Sequence, residues 1–203
     1  MSQDRRDVVR GLPLYKPGAA PGEGAVKLSS NENPFGPLPS VVEAVTRMLA
    51  GFNRYPSISA EEVRSVIAEH VGVDMRQVAL GAGSTEVASQ LMHALASTGD
   101  EIIFPWRSFE AYPILTQVAG ATPVPVPLTE DLRHDLDAMS AAITDRTRLI
   151  LLCTPNNPTG TVLHTDEVEE FLVKVPEEVV VVMDEAYCHF NKDEGAVDGI
   201  GLL

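Results

Sequence analysis

The stretch LILLCTPNNPTG, residues 149–160, joins a continuous apolar run to a loop that two prolines stiffen and a glycine ends. Five consecutive apolar residues indicate a strand that is buried on both faces. A second run of this kind, VVVVM at 179–183, follows a helix that is predicted to begin near Thr165. Such strands are typical of a parallel sheet that helices cover on both sides, so the sequence predicts an α/β protein.

Helices and strands are predicted to alternate along most of the chain, with no internal repeat, which favours a doubly wound sheet. Residues 1–39 are predicted to form an extended amino-terminal arm, and residues 40–203 the first part of a large domain. The predicted elements are a helix from about Ser40 to Ala50, a helix after Ser59 in which Glu62 completes a capping box, a turn at 81–84, a helix at 85–97, a strand at 101–104, a helix at 109–119, a strand at 122–126 and a helix after Asp135.

The composition excludes several classes of protein. The 203 residues carry 15 lysines and arginines against 29 aspartates and glutamates, a net charge of −14, which argues against binding to nucleic acid or to an anionic membrane. Cys153 and Cys188 are too few for a disulfide framework, and no group of cysteines and histidines has zinc-ligand spacing. Because the sequence shows no secretory signal and no apolar stretch of about 20 residues, we expect a cytoplasmic protein.

Four unusual loops are predicted to share one edge of the sheet. In doubly wound proteins, ligands bind beyond the carboxyl ends of the strands, where the loops that lead into helices converge. We therefore expect a small-molecule ligand at this edge. The four segments are GAGST after Leu80, PWRSFEAY after Phe104, TPNNPTG after Cys153 and DEAY after Met183.

The GAGST segment, residues 81–85, offers donors for an anion. Its small residues precede a helix, so backbone N–H groups and the helix dipole would receive a phosphate or carboxylate, assisted by the hydroxyls of Ser84 and Thr85. The alternative is an ordinary glycine turn with Ser84 as the helix N-cap. A nucleotide P-loop is excluded because no G-x-x-x-x-G-K-[ST] motif occurs in the sequence.

Asp184 ends a predicted buried strand, where a carboxylate is costly unless it is paired. It either caps a local turn or faces a cation, of which a protonated pyridine nitrogen is one example. The rigid proline loop is expected to present Asn156 and Asn157, whose amides could donate to a phenolate oxygen on such a ring. Tyr187 would place a phenol near the same ring. Phe109 would either stack on the ring or pack in the core.

Several segments of this sequence occur together, in this order, in one known family: YKPG at 15–18, KLSSNENPFGP at 27–37, NRYP at 53–56, GAGSTE at 81–86, NPTG at 157–160 and DEAY at 184–187. The chain thus resembles the pyridoxal-phosphate (PLP) aminotransferases of fold type I and, more narrowly, the histidinol-phosphate aminotransferase family. WRSFEAYP at 106–113 is similar to the actinobacterial aromatic, or phenylalanine, subgroup. The resemblance implies the type I fold, PLP as cofactor, and a part in amino-acid biosynthesis, including that of histidine.

The resemblance also implies roles for individual residues. It implies a homodimer, in which Tyr55 reaches the cofactor phosphate of the neighbouring subunit. Tyr15 and Asn33, both in the arm, would lie near the substrate, which is an amino acid or an oxo acid. The remaining cofactor contacts would be Gly83, Ser84 and Thr85 on the phosphate, Phe109 on the pyridine ring, Asn157 and Tyr187 on its phenolic oxygen, and Asp184 on the ring nitrogen.

The chain departs from the family pattern in two respects. Thr85 and Ser57 stand where many members have an acidic residue, which leaves the substrate open between histidinol phosphate and an aromatic amino acid. In members, the lysine that forms a Schiff base with PLP lies a few tens of residues beyond DEAY, and no lysine of this sequence has that context. The small domain and its arginine are likewise not in the sequence. We therefore expect no catalytic residue here and no turnover by this chain alone.

The leading hypothesis is a PLP-dependent aminotransferase, with this sequence as its amino-terminal portion. It would pass an amino group between histidinol phosphate or an aromatic amino acid and 2-oxoglutarate. Two alternatives stay open on sequence alone. A related PLP-dependent decarboxylase would carry similar cofactor loops and differ in its substrate contacts. A non-catalytic module that binds the cofactor or dimerises would have no need of the lysine.

Overall fold

The computed structural model describes residues 10–12, 22, 24–27 and 30–203. The described residues form two compact units, one made of 76–203 with 10–12, and the other made of those between 22 and 75. Much of the predicted arm, including Tyr15 and the YKPG segment, lies outside the described residues. The arm and the boundary after residue 39 therefore stay predictions.

The smaller unit contains two helices, α1 (Pro39–Met48) and α2 (Glu61–Val71). α1 begins at a proline, as helices often do, because the N–H that proline lacks would have no partner in the first turn. A 3₁₀ turn, Leu49–Gly51, follows it. Together α1 and this turn cover the whole range predicted for the first helix.

The predicted capping box at the start of α2 is wrong. The N-cap residue is Ala60, in the left-handed conformation with φ of 46°, and it has no side-chain oxygen to cap with. The Ser59 hydroxyl instead lies 3.1 Å from the Ser57 hydroxyl. Glu61 and Glu62 still favour this helix end, because carboxylates in the first turn interact well with the helix dipole.

The larger unit alternates helices and strands as predicted. Its four strands are all parallel and lie in the order β2-β1-β3-β4, which confirms the predicted α/β fold with a parallel sheet. The elements are α3 (Gly83–Leu95), β1 (Glu101–Trp106), α4 (Ala111–Val118), β2 (Thr122–Pro127), α5 (Leu136–Ala141), β3 (Thr147–Cys153), α6 (Thr165–Lys174) and β4 (Val180–Asp184).

Helices cover both faces of the sheet. Since successive side chains along a strand point to opposite faces, the strands contribute to two separate cores. Each buried Leu, Ile or Phe side chain stabilises the fold by about 2 kcal/mol relative to an exposed one. The two cores therefore hold the sheet, and the loops at its ends, in a defined position. One core joins Ile102, Phe104, Leu149 and Leu151 to Met92 of α3 and Tyr112 of α4, and the other joins Ile103, Ile150 and Leu152 to Met139 of α5 and Phe171 of α6.

β2 is an edge strand whose outward side carries prolines. The Thr122 N–H points towards β1 and donates to the carbonyl oxygen of Asp100 at 2.8 Å. Pro123, Pro125 and Pro127 therefore hold the alternate positions, whose N–H groups would point away from the sheet. Proline has no N–H, so this edge has no donors at those positions for another strand.

Candidate functional site

The carboxyl edge of the sheet brings the ends of three strands together. Cys153, the last residue of β3, pairs with Asp184, the last residue of β4. The Thr154 N–H continues this pairing and donates to the Asp184 carbonyl oxygen at 3.0 Å. β1 pairs with β3 on its other side and ends at Trp106. The loops that follow these strand ends contain Phe109, Asn157 and Tyr187.

The Asp184 carboxylate is half-buried and is held at both of its oxygens. The Tyr112 hydroxyl donates to Oδ2 at 2.6 Å. The Ala186 N–H donates to Oδ1 at 3.3 Å, so the turn-capping role considered from the sequence is present, but at one oxygen only. The carboxylate keeps free lone pairs, because each oxygen can accept more than one hydrogen bond.

Tyr112 is the central residue that sequence reasoning missed. It is fully buried, with 1% of its surface exposed. Its ring meets that of Phe109 edge to face, with centroids 5.5 Å apart and planes at 88°. Tyr112 therefore contacts both Phe109, the predicted ring-stacking residue, and Asp184, the predicted acid. The signal was available in the motif WRSFEAYP, where a phenol follows Phe109 by three residues at the start of a helix.

The buried thiol of Cys153 lies among the same groups. Burial raises the pKa of this thiol, and the negative charge of Asp184 adds to the rise, while hydrogen bonding to the Asn157 backbone, to Tyr112 and to Ser108 opposes it. The thiol is therefore neutral at physiological pH. Its neighbours show that the Asn157 backbone, Tyr112 and Asp184 converge on one point at the end of β3.

Asn156 is not presented to a ligand, contrary to the prediction for both asparagines. It is 2% exposed, and its carboxamide is used inside the protein. Its Oδ1 accepts from the Ser108 hydroxyl at 2.7 Å, and its Nδ2 donates to Thr159 Oγ1 at 2.8 Å and to the Arg107 carbonyl oxygen at 3.2 Å. The residue ties the loop after β1 to the loop after β3. Asn157 is half-exposed and is the asparagine left to meet a ligand.

The start of α3 is an exposed set of backbone donors. The helix begins at Gly83, which has φ of 73°, and its N-cap Ala82 makes no side-chain cap. Ser84 lies inside the first turn, so its alternative role as N-cap is wrong. The carboxylate of Glu86 accepts a hydrogen bond from the Ala82 N–H. This helix end therefore already holds an anionic group, as the dipole favours.

α3 is oriented so that its start lies towards the carboxyl edge. Its last residue, Leu95, leads through residues 96–100 to the amino end of β1, and Met92 packs on the sheet. Gly83, Ser84 and Thr85 are exposed there. No strand precedes them within the described residues, since the apolar residues 78–80 are irregular.

Three predicted site residues fall outside the described part of the larger unit. Tyr15 lies outside the described residues. Asn33 belongs to the smaller unit, where its Oδ1 accepts from the Phe35 N–H at 3.0 Å. Tyr55 belongs to the same unit, and its side chain is fully exposed. Their predicted roles at a substrate and at a neighbouring subunit stay predictions.

Residues 10–12, 22, 24–27 and 30–203 contain neither a helix that could span a membrane nor a group of side chains that could hold a metal ion. None of the helices there is long and apolar enough to cross a membrane. In the same residues, no group of three or more histidine, cysteine, aspartate or glutamate side chains is arranged to hold a metal ion. The candidate site at the carboxyl edge combines an acid, an aromatic ring and a helix start that exposes Gly83, Ser84 and Thr85.

A family model matches most of the chain. The model for aminotransferase class I and II matches residues 23–199. The chain belongs to the class I and II aminotransferase family. This aminotransferase chain is 83% identical over its whole length to an aromatic amino acid aminotransferase of Cutibacterium acnes, of which it covers 58%. It is 54% identical, over 97% of its length, to one of Streptomyces avermitilis, of which it covers 56%. It thus spans little more than half the length of these relatives.

Solved aminotransferase structures have the same fold. A histidinol-phosphate aminotransferase of Sinorhizobium meliloti in complex with pyridoxal-5'-phosphate matches 97% of this chain with a TM-score of 0.84 and 25% identity. An aromatic aminotransferase of Pyrococcus horikoshii matches 98% with a TM-score of 0.83 and 26% identity. In each case the chain corresponds to 54% of the solved chain. The fold described above is thus that of the aminotransferases.

Proposed function

We propose that this chain is the cofactor-binding part of a PLP-dependent aminotransferase that passes an amino group between an aromatic amino acid and 2-oxoglutarate. The observation that carries the proposal is the hydrogen-bonded and ring-packed group of Phe109, Tyr112 and Asp184 at the carboxyl edge of the sheet. A buried phenol that holds a carboxylate beside an aromatic ring suits a cationic heteroaromatic ligand. Family membership makes PLP that ligand.

The donor and acceptor groups fit the parts of PLP one by one. The exposed start of α3 offers backbone N–H groups and the hydroxyls of Ser84 and Thr85 to the phosphate. Asp184 offers a carboxylate to the protonated ring nitrogen, and Phe109 offers a ring face. Asn157 and Tyr187 would donate to the phenolic oxygen. When bound, the pyridinium ring withdraws electrons from the substrate carbon that loses its proton.

The residues of this chain would bind and orient the cofactor. Asp184, held at Oδ2 by Tyr112, would pair with the protonated ring nitrogen and so favour the charged form of the ring. The buried network of Asn156 would fix the loop that carries Asn157. The Schiff-base lysine would come from a part of the protein that this sequence does not contain.

The relatives favour an aromatic amino acid over histidinol phosphate. Both sequence relatives described above, at 83% and 54% identity, are named aromatic amino acid aminotransferases. The histidinol-phosphate aminotransferase of S. meliloti is 25% identical. Side chains that contact the substrate diverge faster than the fold, so the more similar proteins are the better guide to the substrate.

A homodimer is part of the proposal. The smaller unit exposes a row of apolar side chains on α1, with Val41 at 49%, Val45 at 51% and Met48 at 66%. These positions are three to four residues apart and so share one helix face. Exposed apolar patches of this kind mark protein contacts. The full exposure of Tyr55 in the same unit is compatible with its reaching a second subunit.

The emission of Trp106 tests the cofactor site. It is the single tryptophan of the sequence, and it ends β1 at the candidate site. We expect PLP to quench its emission saturably in the 203-residue chain, and Asp184→Asn to weaken binding by about tenfold or more. Asp145→Asn, at a side chain that is 89% exposed, is the matched control and should bind as the wild type does. Quenching that never saturates would overturn the proposed cofactor site.

The substrate is tested on the protein isolated from its source. Its rate constant kcat/KM is measured with phenylalanine and with histidinol phosphate, each with 2-oxoglutarate as the amino acceptor. We expect the aromatic substrate to be preferred by at least about tenfold. A preference for histidinol phosphate would reject the proposed substrate and leave the cofactor site standing. Release of carbon dioxide instead of an oxo acid would identify a decarboxylase.

A further inference from the structure

Tyr112 contacts two of the proposed cofactor residues at once. Its hydroxyl donates to Asp184 Oδ2 at 2.6 Å, across 72 residues of sequence. Its ring packs edge to face on Phe109, and on its other side it lies against Phe104, with centroids 6.0 Å apart and planes at 54°. The side chain is 1% exposed, so the core fixes it in place. Movement of Tyr112 would displace both the acid and the stacking ring.

The Tyr112 phenol acts as a permanent donor. Burial raises its pKa well above the ordinary value, and the negative charge of Asp184 raises it further. It therefore keeps its proton throughout the working pH range. A phenol in the neutral form has one hydrogen to donate, and the geometry directs it to Asp184. The carboxylate receives this hydrogen at Oδ2 and the Ala186 N–H at Oδ1, so its plane is fixed from two sides.

We propose that Tyr112 is a positioning residue that aims the Asp184 carboxylate at the ring nitrogen of PLP while it sets the tilt of Phe109. The inference rests on the proposed function, because it needs PLP at this edge. A carboxylate held in line with the ring nitrogen forms the charge-assisted hydrogen bond that keeps the proton on that nitrogen. Without the Tyr112 hydroxyl, the Asp184 carboxylate is free to turn away, which weakens this pairing and the binding of the protonated ring.

The test compares Tyr112→Phe with a control on the same helix. Tyr112→Phe keeps the ring against Phe109 and removes only the hydroxyl. Thr116→Val removes another fully buried hydroxyl from α4, one whose neighbour is the Met92 sulfur at 4.0 Å. PLP affinity is measured by Trp106 quenching, and protonation of the ring by the chemical shift of PLP labelled with ¹⁵N in the ring. Thermal unfolding of each free variant reports any general loss of structure.

We expect Tyr112→Phe to weaken PLP binding by about tenfold and to move the ¹⁵N shift towards that of unprotonated pyridine. Thr116→Val should change neither. In an Asp184→Asn background, Tyr112→Phe should have little further effect, because the hydroxyl acts through the carboxylate. This double-mutant comparison separates positioning from packing, since a packing defect would lower affinity equally in both backgrounds.

The outcomes separate this inference from the proposed function. A wild-type chain that does not bind PLP overturns both. A wild-type chain that binds PLP with a protonated ring, while Tyr112→Phe gives the same affinity and the same ¹⁵N shift, overturns the role of Tyr112 alone. Equal losses of affinity in the wild-type and Asp184→Asn backgrounds also overturn it, because the hydroxyl would then act independently of the acid.

Discussion

Ser108 and Asn156, which are 48 residues apart in the sequence, share a buried hydrogen bond of 2.7 Å between Oγ and Oδ1. Ser108 is 1% exposed and Asn156 is 2% exposed, so water cannot replace either partner. The bond joins the loop that carries Phe109 to the loop that carries Asn157. The relative placement of two proposed cofactor contacts, Phe109 and Asn157, thus depends on a buried pair that is not itself among those contacts.

Asn156→Ala is expected to lower the free energy of unfolding by about 3 kcal/mol, because Ser108, Thr159 and the Arg107 carbonyl oxygen all lose a buried partner. Ser108→Ala removes one bond and should cost about half as much. Urea unfolding of both variants gives the comparison. A larger loss for Ser108→Ala than for Asn156→Ala would show that the carboxamide does not organise the two loops.

His134 makes stability depend on pH. Burial lowers the pKa of its imidazole to about 4, and the nearby Arg133 charge adds to this, while Asn156 favours the charged ring. Neither ring nitrogen has a hydrogen-bond partner of good geometry among the described residues. Between pH 6.5, about the ordinary pKa of histidine, and pH 4, the His134 ring is protonated in the unfolded chain but neutral in the native chain. The free energy of unfolding therefore has its full value above pH 6.5 and decreases towards pH 4, by up to about 3 kcal/mol.

Replacement of the ring isolates this effect. In His134→Leu, the fall in the free energy of unfolding between pH 6.5 and pH 4 should largely disappear. His93→Gln, at an exposed position of α3, keeps His134 and should retain the fall. Urea unfolding at four or five pH values gives both curves. An unaltered pH dependence in His134→Leu would assign the fall to other groups.

Sequence patterns predicted the strands well, and at 149–153 the reason is burial on both faces, which leaves a direct record in a continuous apolar run. The run at 179–183 also marked a strand, but β4 is only half-buried, so the burial predicted for it is wrong. Asp184 could likewise be singled out, since an acid that ends such a run is unusual. The partners of Asn156 and Asp184 could not be predicted. They depend on contacts across 48 and 72 residues, which no local pattern encodes.

Local geometry explains the errors at helix starts. Ser59 seemed a suitable N-cap, but the chain turns through a left-handed Ala60, which moves the helix start one residue on. α3 begins at Gly83, so Ser84 falls inside the first turn. In both cases the sequence identified the helix correctly and misplaced the cap, because the conformation of a single residue decides it.

Glu167 supports the start of α6 in two ways. Its carboxylate accepts from the His164 N–H at 2.8 Å and from Arg133 Nη2 at 2.8 and 2.7 Å. Glu167→Ala should lower the free energy of unfolding by about 1–2 kcal/mol, mostly through the lost cap. The ion pair adds less than about 1 kcal/mol, because the Glu167 side chain is 38% exposed and solvent screens the charges.

Glu169 provides the matched control on the same helix. Its side chain is exposed, so Glu169→Ala should change the free energy of unfolding by less than about 0.5 kcal/mol. Thermal unfolding at low and high salt separates the two contributions of Glu167. The loss from the cap should persist at high salt, whereas the loss from the ion pair should shrink. Equal effects of the two substitutions would mean that Glu167 stabilises nothing.

Gly81 has no room for a side chain. A Cβ there would lie 3.0 Å from the Glu86 Cβ and 3.1 Å from the Val87 nitrogen, and neither atom is the mobile end of a side chain. Gly81→Ala should therefore shift the start of α3, destabilise the chain by about 1–3 kcal/mol and weaken PLP binding. Gly51→Ala, where a Cβ meets nothing within 4 Å, is the control. Unchanged PLP affinity in Gly81→Ala would argue against phosphate binding at this helix start.

The exposed face of α1 predicts self-association. Val45→Glu places a charge on that face and should reduce the dimer fraction, measured as mass by light scattering across a range of protein concentrations. Thr46→Glu adds the same charge one position away and should affect the mass much less. A chain that is monomeric at every concentration would reject a dimer contact through α1 in this chain.

The prolines of β2 make the two edges of the sheet unequal in their ability to pair with a further strand. The margin at β2 is a poor template for another strand, since Pro123, Pro125 and Pro127 leave no outward N–H groups at their positions. The opposite margin is β4, and in the described residues no strand lies on its far side. Any strand that joins this sheet, whether from the same polypeptide or from another molecule, is therefore steered to the margin that ends in Asp184. Assembly and aggregation would compete for the same open edge, directly beside the proposed cofactor acid.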